Sequence, residues 1–237
     1  MSNYFQTIYS DPDILVINKP AGLIVESKNK SDLTLEKILE RDYKINLPRS
    51  GIVHRLDRFT SGLIVIAKSE KALVNLQNQF ASHQVKKVYS ALVYGKLEPK
   101  KGTINLALKR DPKNRTRFVA SRSRDAKEAI THYEVVKPIS LISHISSTKI
   151  KAGADTTLLR IELLTGRTHQ IRAHLFAIGF PVIGDQVYKT PLSQEFSKKI
   201  GLNHQFLHAG ELSFKHPVTG KKMEFKAELP SDLKQLI

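Results

Sequence analysis

The chain has 237 residues, 41% of them hydrophobic, and carries 38 Lys and Arg against 22 Asp and Glu for a formal net charge of +16. That length buries a substantial core, and that charge draws the molecule to polyanions, with nucleic acid the first candidate and a membrane surface the second. With no cysteine, disulfides, thiolate nucleophiles and cysteine-bound zinc are excluded, so any chemistry rests on oxygen and nitrogen groups.

No run approaches the roughly 18 apolar residues of a membrane span, and Met1-Ser2-Asn3-Tyr4-Phe5-Gln6-Thr7 lacks the basic start and apolar centre of a signal peptide. The expectation is a soluble, cytoplasmic protein. Asp11-Pro12-Asp13 reads as a turn, and Ile14-Leu15-Val16-Ile17 as a short buried strand that stops at Asn18-Lys19-Pro20-Ala21-Gly22. That stretch is read chiefly as a plain strand-to-loop exit, with a phosphate contact from Lys19 as the alternative. Ser31 or Asp32 is expected to cap a helix that turns Leu35, Ile38 and Leu39 to the core.

The stretch Gly51-Ile52-Val53-His54-Arg55-Leu56-Asp57-Arg58-Phe59-Thr60-Ser61-Gly62 leads directly into Leu63-Ile64-Val65-Ile66-Ala67, an apolar run with the length and β-branching of a buried strand. A carboxylate on a loop anchored by such a strand is held rigid at its mouth, which suits a nucleophile or base. The plain alternative is a turn cap, Asp57 bonding to the Thr60 and Ser61 end of the loop. Ser69 then caps a helix with Leu73, Leu76 and Phe80 at helical spacing, and Val88 to Tyr94 reads as a strand. Tyr89 and Tyr94 face opposite sides of it.

From Lys100 to Lys127 ten basic residues stand against Asp111 and Asp125. Arg110-Asp111-Pro112-Lys113-Asn114-Arg115-Thr116-Arg117 reads as a turn presenting Arg110, Arg115 and Arg117 to phosphate oxygens, with a solvated basic loop as the plain alternative. Ala129 to Val136 and Leu158 to Leu164 read as strands, while Ser140 to Thr157 has weak periodicity and receives no role. In Thr165-Gly166-Arg167-Thr168-His169-Gln170-Ile171-Arg172-Ala173-His174, Thr168 is expected to cap a helix with Ile171, Leu175 and Ile178 inward, leaving Arg172 off the core stripe. His169 and His174, five apart, do not share a helix face, so no metal site is expected. Leu207 to Phe214 and Met223 to Lys226 form a closing hairpin. Periodicity supports an α+β fold; no internal repeat or linker appears, so one domain over residues 1–237 is expected.

Three of these stretches carry a resemblance. His-Arg-Leu-Asp followed by Arg-Phe-Thr-Ser-Gly, together with Lys-Val-Tyr at 87–89 and His-Gln-Ile-Arg at 169–172, resembles the motifs of the RluA-type pseudouridine synthases, and Asn-Lys-Pro-Ala-Gly at 18–22 resembles another. The resemblance implies a mixed, mostly antiparallel β-sheet flanked by helices, without the small RNA-binding domain that many relatives carry in front. It implies an isomerase that converts uridine to pseudouridine in RNA with no cofactor and no metal. Asp57 would be the catalytic residue, Arg172 its ionic partner and Tyr89 the ring that stacks on the flipped base, while Arg55 would fill the space the base leaves. His54, Arg58 and Arg167, in the same motifs, are counted with Arg55, Arg110, Arg115 and Arg117 as RNA-binding residues.

The substrate expected is ribosomal RNA, with a transfer RNA stem-loop as the alternative, handled by a monomer. A non-catalytic RNA-binding protein on the same fold would explain the charge but would not require Asp57, Tyr89 and Arg172 together. A carboxylate-dependent RNA hydrolase would show a second carboxylate or clustered metal ligands near the first, and none stands beside Asp57.

Overall fold

The computed structural model describes residues 4–140 and 155–237. Most of the Ser140 to Thr157 segment, which received no role from its pattern, lies outside the described residues. The first elements in chain order are β1 (Gln6–Ser10), β2 (Ile14–Lys19), α1 (Leu35–Tyr43), β3 (Ser61–Ala67), α2 (Glu70–Ala81), β4 (Lys86–Tyr94) and β5 (Lys101–Asn105). Then come β6 (Leu108–Arg110), β7 (Phe118–Ala120), β8 (Ile130–Ser140), β9 (Asp155–Leu163), α3 (Gln170–Ala177), α4 (Pro191–Lys199), β10 (Leu207–Lys215), β11 (Lys222–Lys226) and α5 (Ser231–Lys234). The α+β expectation with largely antiparallel strands holds. Among the described residues no helix is long and apolar enough to cross a membrane.

The chain divides into two compact units. The first runs up to Lys87 and is completed by Ala209–Pro230. Its strands β1, β2 and β3 pair antiparallel in sequence, β10 follows β3, and β11 pairs with β10. All seven residues of β3 are buried, as are Ile14 to Ile17 of β2, which is why both strands read as unbroken apolar runs rather than alternating ones. Ile14, Val16, Leu63 and Val65 pack against Ala72, Leu73 and Leu76 of α2 and Leu212 and Phe214 of β10. Each Ile, Val, Leu or Phe among them contributes roughly 1.5–3 kcal/mol when fully buried.

The Ser69 hydroxyl caps α2 by accepting from the Ala72 amide at 3.3 Å, as its spacing predicted. Helix α1 starts later than expected: Thr34, not Ser31 or Asp32, accepts from the Lys37 amide at 3.2 Å. The delay has a local cause, because Thr34 bridges to Ile24 and the Leu35 amide donates to the Ile24 carbonyl, which keeps the chain extended up to the cap.

The second unit comprises Val88–His208 with Ser231–Ile237. Here β4, β9, β8 and β5 pair antiparallel in that order, and β6 with β7 forms a separate two-stranded hairpin. Helix α3 departs from its expected form. Its N-cap is His169, in the left-handed conformation at φ 57°, not Thr168, and Gln170 to Leu175 are all buried. Arg172, expected off the core stripe, is inside.

Candidate active site

The site residues expected from the sequence divide between the two units, with His54, Arg55, Asp57 and Arg58 in the first and the others in the second. In the first, Ile52 and Leu56 are buried and pin the loop from beneath, and Thr60 and Ser61 are buried where it enters β3. Gly62 opens that strand at φ 117°, where a Cβ would lie 2.3 Å from the Ala209 carbonyl oxygen, so only glycine lets the loop settle this close to β10. Between these anchors Asp57 is half-buried and Arg55, Arg58 and Phe59 are exposed. The Thr60 amide donates to the Asp57 carbonyl at 3.1 Å, and the Arg58 guanidinium packs over Phe59 at 5.1 Å.

Lys19 secures this loop from below. It is fully buried, and its Nζ donates to the carbonyls of Pro20 at 2.9 Å, Leu23 at 2.9 Å and Arg58 at 3.0 Å, so it is not available to phosphate. The Gly22 amide adds a second tie to the Arg58 carbonyl at 2.8 Å. Burial pushes the Lys19 ammonium down to about 7, against the Asp57 charge, which raises it. The lysine of Asn-Lys-Pro-Ala-Gly thus joins two motifs that lie far apart in sequence.

His54 faces the interior rather than a ligand. Its Nε2 accepts from the Val65 amide at 3.0 Å and its ring stacks on Phe80 at 4.5 Å, inside the first unit. Burial, with the Lys87 charge adding to it, lowers its pKa to about 3, which keeps Nε2 free of a proton and able to accept.

In the second unit Tyr89 is 8% exposed on β4, opposite Ile161 of β9. Arg172 forms a buried fork with Asp185, Nε to Oδ2 at 2.6 Å and an Nη to Oδ1 at 2.9 Å, with 6% and 0% of the two side chains exposed. The Asp185 Oδ1 also accepts the amides of Val187 at 2.8 Å and Tyr188 at 2.9 Å. A guanidinium this deep needs such a partner, which is why Arg172 can sit inside α3.

The rest of that motif is scaffold. Gln170 accepts from Thr165 Oγ1 and the Arg167 amide and donates to the Ile130 carbonyl and Thr131 Oγ1, using its whole amide. His174 is fully buried between Thr131 Oγ1 and the Leu106 carbonyl, each at 2.9 Å, and burial lowers its pKa. Exposed Arg167 is tied by Nε to the Glu128 carbonyl at 2.9 Å.

The three arginines of the β6–β7 turn diverge. Arg110 donates to the Arg115 carbonyl and lies over Phe118 at 4.8 Å, Arg115 is exposed, and Arg117 turns inward over Tyr188 at 5.3 Å and Phe176 at 5.2 Å. Lys113, Arg122 and Arg124 are exposed with Arg115 and are accessible to a polyanion. The sequence reading missed Asp185, Tyr188 and the anchoring role of Lys19. The only available signal was indirect: a helix with apolar neighbours on both sides of Arg172 demands an acid elsewhere.

A profile described as RNA pseudouridylate synthase matches residues 13–177. A protein of Buchnera aphidicola subsp. Baizongia pistaciae named ribosomal large subunit pseudouridine synthase D is 39% identical over 246 residues, covering 99% of this chain and 72% of its own. An uncharacterized RNA pseudouridine synthase of Bacillus subtilis (strain 168) is 37% identical over 235 residues, covering 97% and 70%. Among solved structures, human RNA pseudouridylate synthase domain containing 1 superposes with a TM-score of 0.74 at 26% identity, over 95% of this chain and 84% of that one. This chain therefore belongs to the RNA pseudouridylate synthase family, isomerases that act on RNA.

Proposed function

We propose that the chain isomerises a uridine of large-subunit ribosomal RNA, with Asp57 as the catalytic carboxylate. The observation that carries the RNA target is the similarity, over 99% of the chain, to a protein named ribosomal large subunit pseudouridine synthase D. The exposed cations Lys113, Arg115, Arg122 and Arg124 support it, since they offer phosphate contacts on one stretch of the second unit.

The reaction leaves the composition of RNA unchanged. The bond from uracil N1 to C1′ breaks, the base turns, C5 bonds to C1′, C5 loses its proton and N1 gains one. The target nucleotide must first leave its stack, because C1′ and C6 are shielded within a helix. The Asp57 carboxylate starts the chemistry, either by attack at C1′ or by removing the 2′ proton on the way to a glycal. Its loop suits both, being fixed by the buried ends Leu56 and Thr60 and by the Lys19 contact to Arg58. Tyr89 is assigned to stack on the displaced uracil, Arg172 to supply positive charge at the reaction centre, and exposed Arg55 to occupy the space the nucleotide leaves.

The test is nucleotide-resolution pseudouridine mapping of ribosomal and transfer RNA from cells lacking the gene, restored with wild type or with Asp57→Asn. A ribosomal site regained with wild type alone is expected, with RNA affinity of the variant preserved. Full modification by Asp57→Asn would sink the catalytic assignment, and a site regained only in transfer RNA would sink the target.

A further inference from the structure

We propose that Arg117 is a positioning residue: stacked on Tyr188, it ties the β6–β7 hairpin to the Asp185–Arg172 pair. All the groups involved lie in the second unit. The inference rests on the reading above for Arg172 alone.

Tyr188 is fully buried, and both its amide and its hydroxyl are held. Its amide donates to Asp185 Oδ1 at 2.9 Å, and its hydroxyl accepts from the Phe118 amide of β7 at 2.7 Å. The hydroxyl also stands 3.2 Å from Nδ1 of His169, the residue that begins the helix carrying Arg172. Two guanidiniums address its ring, Arg172 with its central carbon 5.1 Å from the centroid and Arg117 at 5.3 Å. One tyrosine is therefore bonded to the hairpin, to the carboxylate that holds Arg172 and to the helix that bears it.

Arg117 is what presses the hairpin onto that ring. Its neighbours Lys113 and Arg115 point to solvent, whereas Arg117 enters between Tyr188 and Phe176, 5.2 Å from the latter. Its Nε is buried and finds no hydrogen-bond acceptor among the described residues. A guanidinium that merely served phosphate would remain hydrated at the surface beside Arg115. One that enters the interior with an unsatisfied donor is kept there by the aromatic faces, and planar stacking is something arginine offers and lysine does not. RNA gripping the exposed end of the hairpin thus acts on Tyr188, and through it on the orientation of Arg172.

The test compares Arg117→Ala, Arg117→Lys and Arg115→Ala in the full chain. Residue-resolved amide hydrogen exchange without RNA should show the Phe118, Val187 and Tyr188 amides losing protection together, by tenfold or more, in Arg117→Ala, while the Tyr133 amide of β8 holds its wild-type value. Arg117→Lys should show the same pattern in weaker form, and serves if Arg117→Ala does not fold. With RNA at saturation the single-turnover rate of Arg117→Ala should fall at least tenfold with affinity changed less than threefold. Arg115→Ala should do the reverse, weakening affinity and flattening its salt dependence by a larger factor than it lowers the saturated rate. Exposure of Phe118 alone, with Val187 and Tyr188 as in wild type, would overturn the coupling, as would an Arg117→Ala that loses affinity at an unchanged rate. The exchange measurement needs no turnover, so failure of the proposed RNA reaction would not be mistaken for failure of this link.

Discussion

Replacing Asp185 with Ala should be among the most damaging single changes in the second unit. It strips Arg172, whose side chain is 6% exposed, of two charge-assisted hydrogen bonds at 2.6 and 2.9 Å. It also leaves the Val187 and Tyr188 amides without the oxygen they share. Removing one member of a buried ion pair costs about 3–5 kcal/mol, because the charge that stays behind loses much of what offset its desolvation. At roughly 2–4 °C per kcal/mol for a chain of this size, the melting temperature should fall by about 6–20 °C. Urea unfolding followed by far-ultraviolet circular dichroism gives the free energy, and calorimetry the melting point. Asp185→Ala combined with Arg172→Met is the decisive control, since removing both charges also removes the penalty and should recover more than half of the loss. A single variant costing less than about 1 kcal/mol, or a double variant as damaged as the sum of the singles, would refute the assignment of the fork as the element that stabilises α3.

Other outcomes follow from the same geometry. Gly62→Ala should abolish soluble expression or cost several kcal/mol, because its Cβ would meet the Ala209 backbone at 2.3–2.7 Å; Gly22→Ala, also at positive φ but in open space, should cost only about 1–2 kcal/mol of left-handed strain by urea titration. Thr34→Ala should lose about 1 kcal/mol through its helix cap, and exposed Ser31→Ala close to nothing, which denaturation curves of the pair will read. His54 is held near 3 in the fold against 6.5 as the ordinary value, so the folded state binds fewer protons. Its contribution is complete above about pH 6.5 and declines as pH falls from there towards 3. Wild-type stability should therefore drop more steeply than that of His54→Gln between pH 6.5 and 4; parallel curves would contradict the burial of a neutral ring.

What could be read from the sequence was whatever the chain writes locally. The unbroken apolar runs of β2 and β3, the Ser69 cap with Leu73 and Leu76 behind it, and the β10–β11 hairpin each declare themselves within about a dozen residues, and each stands where it was expected. The misses are residues whose meaning depends on a distant partner. Arg172 was placed off the core stripe by its spacing because Asp185, which holds it inside, lies thirteen positions on in a loop with no periodicity. Lys19 read as part of a plain strand exit, with phosphate as the alternative, because nothing near it in sequence announces the Arg58 carbonyl, thirty-nine residues later. Arg117 was indistinguishable from Arg115 by composition, and only Tyr188 and Phe176 separate them. His54 stood in a charged motif and was grouped with its neighbours, whereas its ring accepts from the strand that follows. Local pattern located the elements, but the physical work of each of these side chains is set by three-dimensional neighbours.

The first unit is stitched from two distant stretches of chain, and this bears on how the protein is made. Strand β3, which the Asp57 loop enters, lies between β2 and β10, and the backbone that Gly62 approaches belongs to Ala209. At a ribosome adding about 5–20 residues per second, on the order of ten seconds passes between emergence of Lys87 and arrival of that partner strand. During that wait a long apolar strand presents an unpaired edge, the kind of surface that recruits neighbouring chains. Nascent chains halted before Ala209 should accordingly depend on chaperones, and the loop bearing Asp57 should take its final shape only near the end of synthesis.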